Sequence, residues 1–242
     1  MRPVLRTPEW FTRLYRRFNN RELIERLQNS PELRTTYQRV NAVHARALLR
    51  RPIAESRFVV IDTETTGFHA YAGDAIVAIA MLELRGLDPT GRELVSLVNP
   101  GRPIPAQSSA IHGITDDQVR GAPLIGDLIH TVVEFIDDAV LVGHHTAFDV
   151  RFLNTTLSRA VGSKLRNPVL DTMLMYLGHS GRMGHYTLEE VAQHCRVEVT
   201  GRHTARGDAL TAAQLFRALV PQLAELRRPV AYLLQQQESN EL

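Results

Sequence analysis

One cysteine, Cys195, and one lysine, Lys164, are all that this chain of 242 residues has of either. A lone cysteine excludes an internal disulfide framework and a zinc site built from cysteines alone. No apolar run approaches the roughly 20 residues that a membrane-spanning helix needs, so no membrane role is expected. The basic N-terminus, MRPVLRTPEWFTRLYRRF, has neither an apolar core nor a small-residue cleavage site. It therefore does not read as a secretory signal, and a cytoplasmic location is the expectation. With lysine almost missing, arginine carries nearly all the positive charge. Arginine's planar fork suits phosphate, but the bias runs the whole length of the chain and so reads as genome composition rather than as a site.

What is present suffices for a core. Apolar residues make up 44% and charged residues 22%, the balance of an ordinary globular domain of generous size, or of one with an appendage. The net charge of +2 conceals an asymmetry. Residues 1–57 hold thirteen arginines against five glutamates, a net of +8, which leaves −6 on the remainder. A basic arm joined to an acidic body is thus expected. Within the arm, PEWFTRLYRRF (8–18) and RELIERLQNS (21–30) space their apolar residues helically. SPELRTTYQRVNAVHARALL (30–49) reads as one further helix, with Ser30 as cap and Pro31 at the first position. Pro52 ends the run. The expected division is a helical arm over 1–54, a main domain over 55–220, and a helix end with a polar tail over 221–242, in which QQQESNEL reads as disordered.

The main domain opens with three strand patterns, at 57–62, 75–84 and 93–99, with Gly86 and DPTG (88–91) as the turn before the third. Helical patterns follow at 115–120 and 124–137. A short apolar strand at 139–144 leads to a helix at 147–160, and PVLDT (168–172) reads as a strand end. Helices then close the domain at 187–195, with Thr187 and Glu190 forming a capping box, and at 204–223. Three antiparallel strands followed by strand–helix alternation predict an α/β mixed sheet flanked by helices. The first strand, apolar on both faces, belongs at the centre.

That strand ends in VVIDTETTG (59–67). Side chains alternate along a strand, so Asp62 and Glu64 share a face. Two carboxylates so placed repel, unless one takes a proton or a cation lies between them. Oxygen ligands favour magnesium or manganese over zinc. The bland alternative is a solvated turn with two harmless acids. Two further stretches bear on this. LVGHHTAFDVRFL (141–153) passes from strand to helix with Asp149 on the first helical turn, where an acid also suits the helix N-terminus. GRHTARGDALTAAQLF (201–216) carries His203 and, five residues on, Asp208.

These three stretches, FVVIDTETTG, HHTAFDVRFL and HTARGDA, resemble in order and spacing the motifs of the DEDDh 3′–5′ exonucleases. That family includes the proofreading epsilon subunits of DNA polymerase III and ribonuclease T. The resemblance covers about residues 57–220. It implies a ribonuclease H-like fold and two divalent cations, Mg2+ or Mn2+. It also implies a role for each acid: Asp62 bridging both cations, Glu64 and Asp208 completing the site of the attacking water, and Asp149 supporting the second cation. His203 would be the general base, on a loop whose flanking Gly201 and Gly207 are compatible with mobility. The reaction implied is hydrolysis of phosphodiesters at single-stranded 3′ ends, DNA favoured, releasing nucleoside 5′-monophosphates.

Substrate contacts carried over from the family are Thr65, Thr66 and Gly67 in the turn after the acids, and His112 in SAIHGIT (109–115). Phe148 and Phe152 are placed to wedge against bases or, at helical spacing, to sit in the core. The chain departs from the family at Ala78, where a glutamate is usual, and at His145, where an asparagine is usual. The His144–His145 pair reads as structural. QLF (214–216), inside a helical pattern, reads as core. The arm lies outside the resemblance: it is either an amphipathic cap on the domain, a docking element for a protein partner, or a handle for nucleic acid. An exoribonuclease preferring RNA or short oligonucleotides, and a non-catalytic binding or scaffold protein on the same fold, remain open alternatives. Oligomeric state is not legible in the sequence.

Overall fold

In the computed structural model, the structure describes residues 21–238. The helix expected at 8–18, with Trp10, Phe11 and Leu14, therefore lies outside the described residues, as does the end of the polar tail. The elements follow in this order: α1 (Arg21–Asn29), α2 (Pro31–Ala42), α3 (Ala45–Arg50), β1 (Arg57–Thr65), β2 (Ile76–Arg85), β3 (Asp88–Leu97), α4 (Ala106–His112), α5 (Asp116–Val119) and α6 (Ile125–Ile136). After them come β4 (Val140–Gly143), α7 (Ala147–Val161), β5 (Val169–Asp171), α8 (Thr172–Ser180), α9 (Leu188–Cys195), α10 (Ala205–Leu223) and α11 (Val230–Glu238).

The five strands form one mixed sheet in the order β3-β2-β1-β4-β5. The first three are antiparallel, while β4 and β5 join parallel to β1 and to each other. The first strand is central, as its apolar run predicted. Alternation then decides what it touches. Phe58 and Val60 enter one buried cluster with α8, α9 and α10. Val59 and Ile61 enter the other, with α6, α7 and the arm residues Leu23, Leu27, Tyr37 and Val40. In β4, Val140 and Val142 split from Leu141 in the same way. The centre of the sheet is buried between helices on both faces, while the edge strand β3 is largely exposed.

Three local expectations are corrected. The stretch 30–49 is two helices, separated at Val43, whose backbone is extended. Val40 is buried on one face of the sheet and Leu48 on the other, which one straight helix cannot achieve. The third strand starts at Asp88, and the turn is only Gly86 and Leu87, with Arg85 opposite Asp88. DPTG lies within the strand. Gly91, with φ +78°, absorbs an irregularity in register, and Pro89 is tolerated because β3 is an edge strand. Finally, the first half of QQQESNEL is helical. Gln237, 7% exposed, accepts from the Asp171 backbone N–H at 3.0 Å and donates to the Val169 carbonyl at 3.3 Å, tying α11 to the end of β5. α4 and α8 had no strong periodic signal in the sequence.

The helix caps expected at Ser30 and Thr187 form, and Thr204 adds one not expected from the sequence. Ser30 accepts from the Leu33 N–H, Thr187 and Glu190 form their reciprocal box, and Thr204 caps α10 through the Gly207 N–H.

Candidate active site

Asp62 continues the Phe58–Val60 side of β1 and therefore points toward α10. Glu64 follows it two residues on. Asp208 lies in the first turn of α10, five residues after His203, and is 5% exposed. The result is a cluster in which carboxylate oxygens of Asp62, Glu64 and Asp208 all lie within 4.8 Å of one another. Thr63, between the two acids, points the other way, toward α7. There its hydroxyl donates to Asp149 Oδ1 at 2.6 Å, a fully internal bond. Asp149 is 3% exposed and sits in the first turn of α7.

The electrostatics follow from this packing. Burial raises Asp62 well above the carboxylate range, and the charges of Asp149, Asp208 and Glu64 raise it further. Burial, with Asp208 beside it, pushes Glu64 up to about 7. Burial pushes Asp149 up to about 7 against the opposing bond from Thr63. Asp208 is raised by burial despite a guanidinium in contact. Its Oδ1 is buried without a hydrogen-bond partner. An unpartnered buried carboxylate oxygen is costly. An oxygen-only donor set, short of positive charge and with a free buried ligand atom, fits a hard divalent cation.

A cleft of about 250 Å³ opens over the cluster. Around it are the three acids, Arg202 and His203, and the histidines 144, 145 and 185. His203 is exposed, and its backbone N–H donates to Asp208 Oδ2 at 3.3 Å. Its φ of +59° is left-handed. The loop around it is pinned rather than free. Gly207 packs so closely on the 200–201 backbone that a Cβ there would stand 2.0 Å from the Gly201 carbonyl oxygen. That close approach, not hinge freedom, is the reason for glycine.

The remaining expected residues sit around this centre. Thr65 donates to the Gly67 carbonyl at 2.7 Å, while Thr66, 2% exposed, donates to Asp74 and accepts from the Ala75 N–H. Both hydroxyls thus shape the turn. Gly67 lies against the Asp74 carboxylate. His112 is 8% exposed at the end of α4, and burial holds its pKa below the ordinary value, partly offset by the Thr65 backbone. Phe152 is core at 3% exposure, whereas Phe148 is half-buried with the exposed Phe68 ring 6.1 Å away.

His144 is held at both ring nitrogens, by the Thr172 hydroxyl at 2.9 Å and the Tyr186 carbonyl at 3.1 Å, and burial pushes its pKa down to about 4. It is structural, as its position beside a strand end suggested. His145 adopts φ +58°, a conformation asparagine and histidine tolerate better than most residues. Its ring stacks on His185 with centroids 4.3 Å apart. Ala78 pairs with Glu64 across β1 and β2.

Sequence reasoning missed Arg202. Its guanidinium bonds both Asp208 and Glu189 of α9. Only adjacency to His203 marked it, and adjacency says nothing about where a long side chain ends.

A five-stranded mixed sheet carrying carboxylates at the end of its central strand and on two flanking helices defines a class, and comparison with known proteins specifies it. The sequence pattern of the exonuclease family matches residues 59–216. A DNA polymerase III subunit epsilon of Aquifex aeolicus is 31% identical over 175 residues, 72% of this chain and 86% of that protein. An epsilon-like protein of Rhodobacter capsulatus is 39% identical over 180 residues, 73% of this chain. The chain spans only 25% of that longer relative's length. Among solved structures, exonuclease X bound to 5′-overhanging duplex DNA aligns with a TM-score of 0.56 at 23% identity, covering 73% of this chain and 99% of that one. E. coli exonuclease I bound to a dA16 oligonucleotide aligns with a TM-score of 0.59 at 16% identity, covering 67% and 40%. These likenesses speak to the fold, which is ribonuclease H-like. The chain belongs to the exonuclease family, and its relatives include DNA polymerase III epsilon subunits.

Proposed function

We propose that this chain is a divalent-metal-dependent 3′–5′ exonuclease of the DEDDh type. It hydrolyses phosphodiester bonds at single-stranded 3′ ends, DNA favoured, and releases nucleoside 5′-monophosphates. The observation that carries the reading is the convergence of Asp62, Glu64 and Asp208 within 4.8 Å, with a buried Asp208 oxygen left free. Membership of the exonuclease family supports it.

Asp62, Glu64, Asp149 and Asp208 would hold two cations, Mg2+ or Mn2+. Bound cations supply charge stabilisation to the attacking and leaving oxygens of an in-line displacement. The chain's own residues do the rest. Thr63 fixes the Asp149 carboxylate from the opposite face of β1. The pinned 200–204 loop brings His203 over the acids while leaving its ring exposed to the cleft. As general base, that ring takes a proton from the attacking water, since an imidazole can accept and release a proton near neutral pH. The Thr65 and Thr66 hydroxyls, with the Thr66 N–H on the Ala75 carbonyl and the Ser108 hydroxyl on the Thr66 carbonyl, hold the 65–67 turn in the shape that would meet the terminal nucleotide, beside His112 and Phe148. The polymerase-subunit relative motivates a protein partner reached through the N-terminal arm.

The test is digestion of 5′-labelled single-stranded DNA and RNA with Mg2+ or Mn2+, by the wild type and Asp62→Ala. Expected is a metal-dependent ladder shortening from the 3′ end, stronger on DNA and lost in the variant. Binding of either strand without cleavage would overturn the catalytic reading. A stronger ladder on RNA would reverse the sugar preference.

A further inference from the structure

We infer that Arg202 is a resident counter-ion of the acid cluster: it holds the metal ligand Asp208 until a cation enters, and Glu189 then keeps it aside. The inference rests on the metal-binding reading of Asp62, Glu64 and Asp208. Three observations carry it.

The first is position. The Arg202 guanidinium bonds Asp208 Oδ2, so one oxygen of this nearly buried carboxylate is engaged by a positive charge while the other, Oδ1, is buried and bare. Arg202 is the cation in direct contact with the cluster among the described residues. A second positive charge arriving at Asp208 meets it at once, and like charges so close repel strongly at low effective dielectric.

The second is the alternative partner. The Nε edge of the same guanidinium bonds Glu189, which belongs to α9 and is half exposed at 45% of its side chain. A planar fork with five donors can give up one carboxylate and keep the other without moving its backbone. Glu189 is thus placed to retain Arg202 when Asp208 lets go.

The third is the anchoring of the loop. Arg202 leaves the chain between Gly201, pressed on Gly207, and His203, whose N–H also bonds Asp208. The backbone stays pinned by those contacts and by the Thr204 cap. Only the side chain is needed for the exchange. The consequence is a threshold: divalent cations compete with an internal charge, so metal affinity is set below what the carboxylates alone would give.

Substituting Arg202 and substituting its alternative partner Glu189 should have opposite effects. Arg202→Gln removes the competitor and should tighten Mn2+ binding to the metal-free protein by about tenfold. Glu189→Gln removes the alternative partner, leaves Arg202 committed to Asp208, and should weaken Mn2+ binding by several-fold. Titration calorimetry on the metal-free full chain reads both, with thermal unfolding to show that each variant is folded. A general loss of structure would weaken both variants. Weakened or unchanged Mn2+ binding in Arg202→Gln would overturn the inference. Failure of the nuclease reading itself is distinct: there the wild type cleaves neither DNA nor RNA, whatever the calorimetry shows.

Discussion

The Thr63 hydroxyl donates to Asp149 at 2.6 Å through the side of β1 opposite to the one that carries Asp62 and Glu64. One strand end therefore serves two helices. Its even-numbered acids meet Asp208 on α10, and its odd-numbered threonine holds Asp149 on α7.

Thr63→Val keeps the shape of the side chain and deletes this bond. It should leave a buried carboxylate less satisfied, cost about 1–3 kcal/mol of stability, and lower cleavage rates by loosening Asp149. Thr63→Ser should restore both. Urea unfolding and single-turnover cleavage, run on the three proteins, check this.

The metal-free protein should lose stability as pH rises from about 4 to about 7. Glu64 and Asp149 have ordinary values of 4.5 and 3.8 but titrate near 7 when folded. Across that interval the folded state binds more protons than the unfolded one, so the slope of stability against pH is negative, and the loss is complete above the folded values. A divalent cation binds the ionised carboxylates and should reverse the loss. The melting temperature in chelator should be lower at about pH 8 than at about pH 5, and Mn2+ should raise it more at the higher pH. Glu64→Gln should flatten the profile. A melting temperature that rises with pH in chelator would contradict this account.

Gly207→Ala should be harmful although it replaces glycine inside a helix, a change that elsewhere stabilises by roughly 0.5–1 kcal/mol. Here the new Cβ would collide with the Gly201 carbonyl, a backbone atom that cannot swing aside. The loop bearing Arg202 and His203 must shift. Expected is a clear fall in activity together with a lower melting temperature, and an improved melting temperature would refute the close-approach argument.

His203→Asn retains a residue suited to positive φ and the backbone N–H on Asp208, while removing the imidazole. As the general base is lost, kcat should fall by about 10²–10⁴. Mn2+ affinity should stay at the wild-type level, because the ring is not a ligand in this scheme. Calorimetry beside steady-state kinetics separates the two.

Much of the fold was legible because its signals are local. The apolar run of residues 58–61 had to be a buried central strand. The caps at Ser30 and Thr187 depend on hydrogen bonds within three residues, and periodicity marked α6, α7 and α10. Alternation put Asp62 and Glu64 on one face, and the order and spacing of the three acidic motifs were legible as a family resemblance; of those acids, Asp62, Glu64 and Asp208 meet in the fold. The errors arose where distant packing overrode local pattern. Residues 30–49 read as one helix, yet Val40 and Leu48 are buried on opposite faces of the sheet. DPTG is a turn by composition, but edge pairing with β2 makes it strand. The glutamines of the tail looked disordered until Gln237 found the backbone at the end of β5.

The sequence by itself determined the central strand, the capped helix starts at Ser30 and Thr187, and the shared face of Asp62 and Glu64, since each depends on neighbours a few residues away. Tertiary structure alone decided that Asp62 faces α10 while Thr63 faces α7, that Arg202 spans Glu189 and Asp208, and that Gly207 must lack a side chain. Those contacts join residues from separate elements. Side-chain reach, burial and charge balance settle them, and none of these acts until the chain is folded.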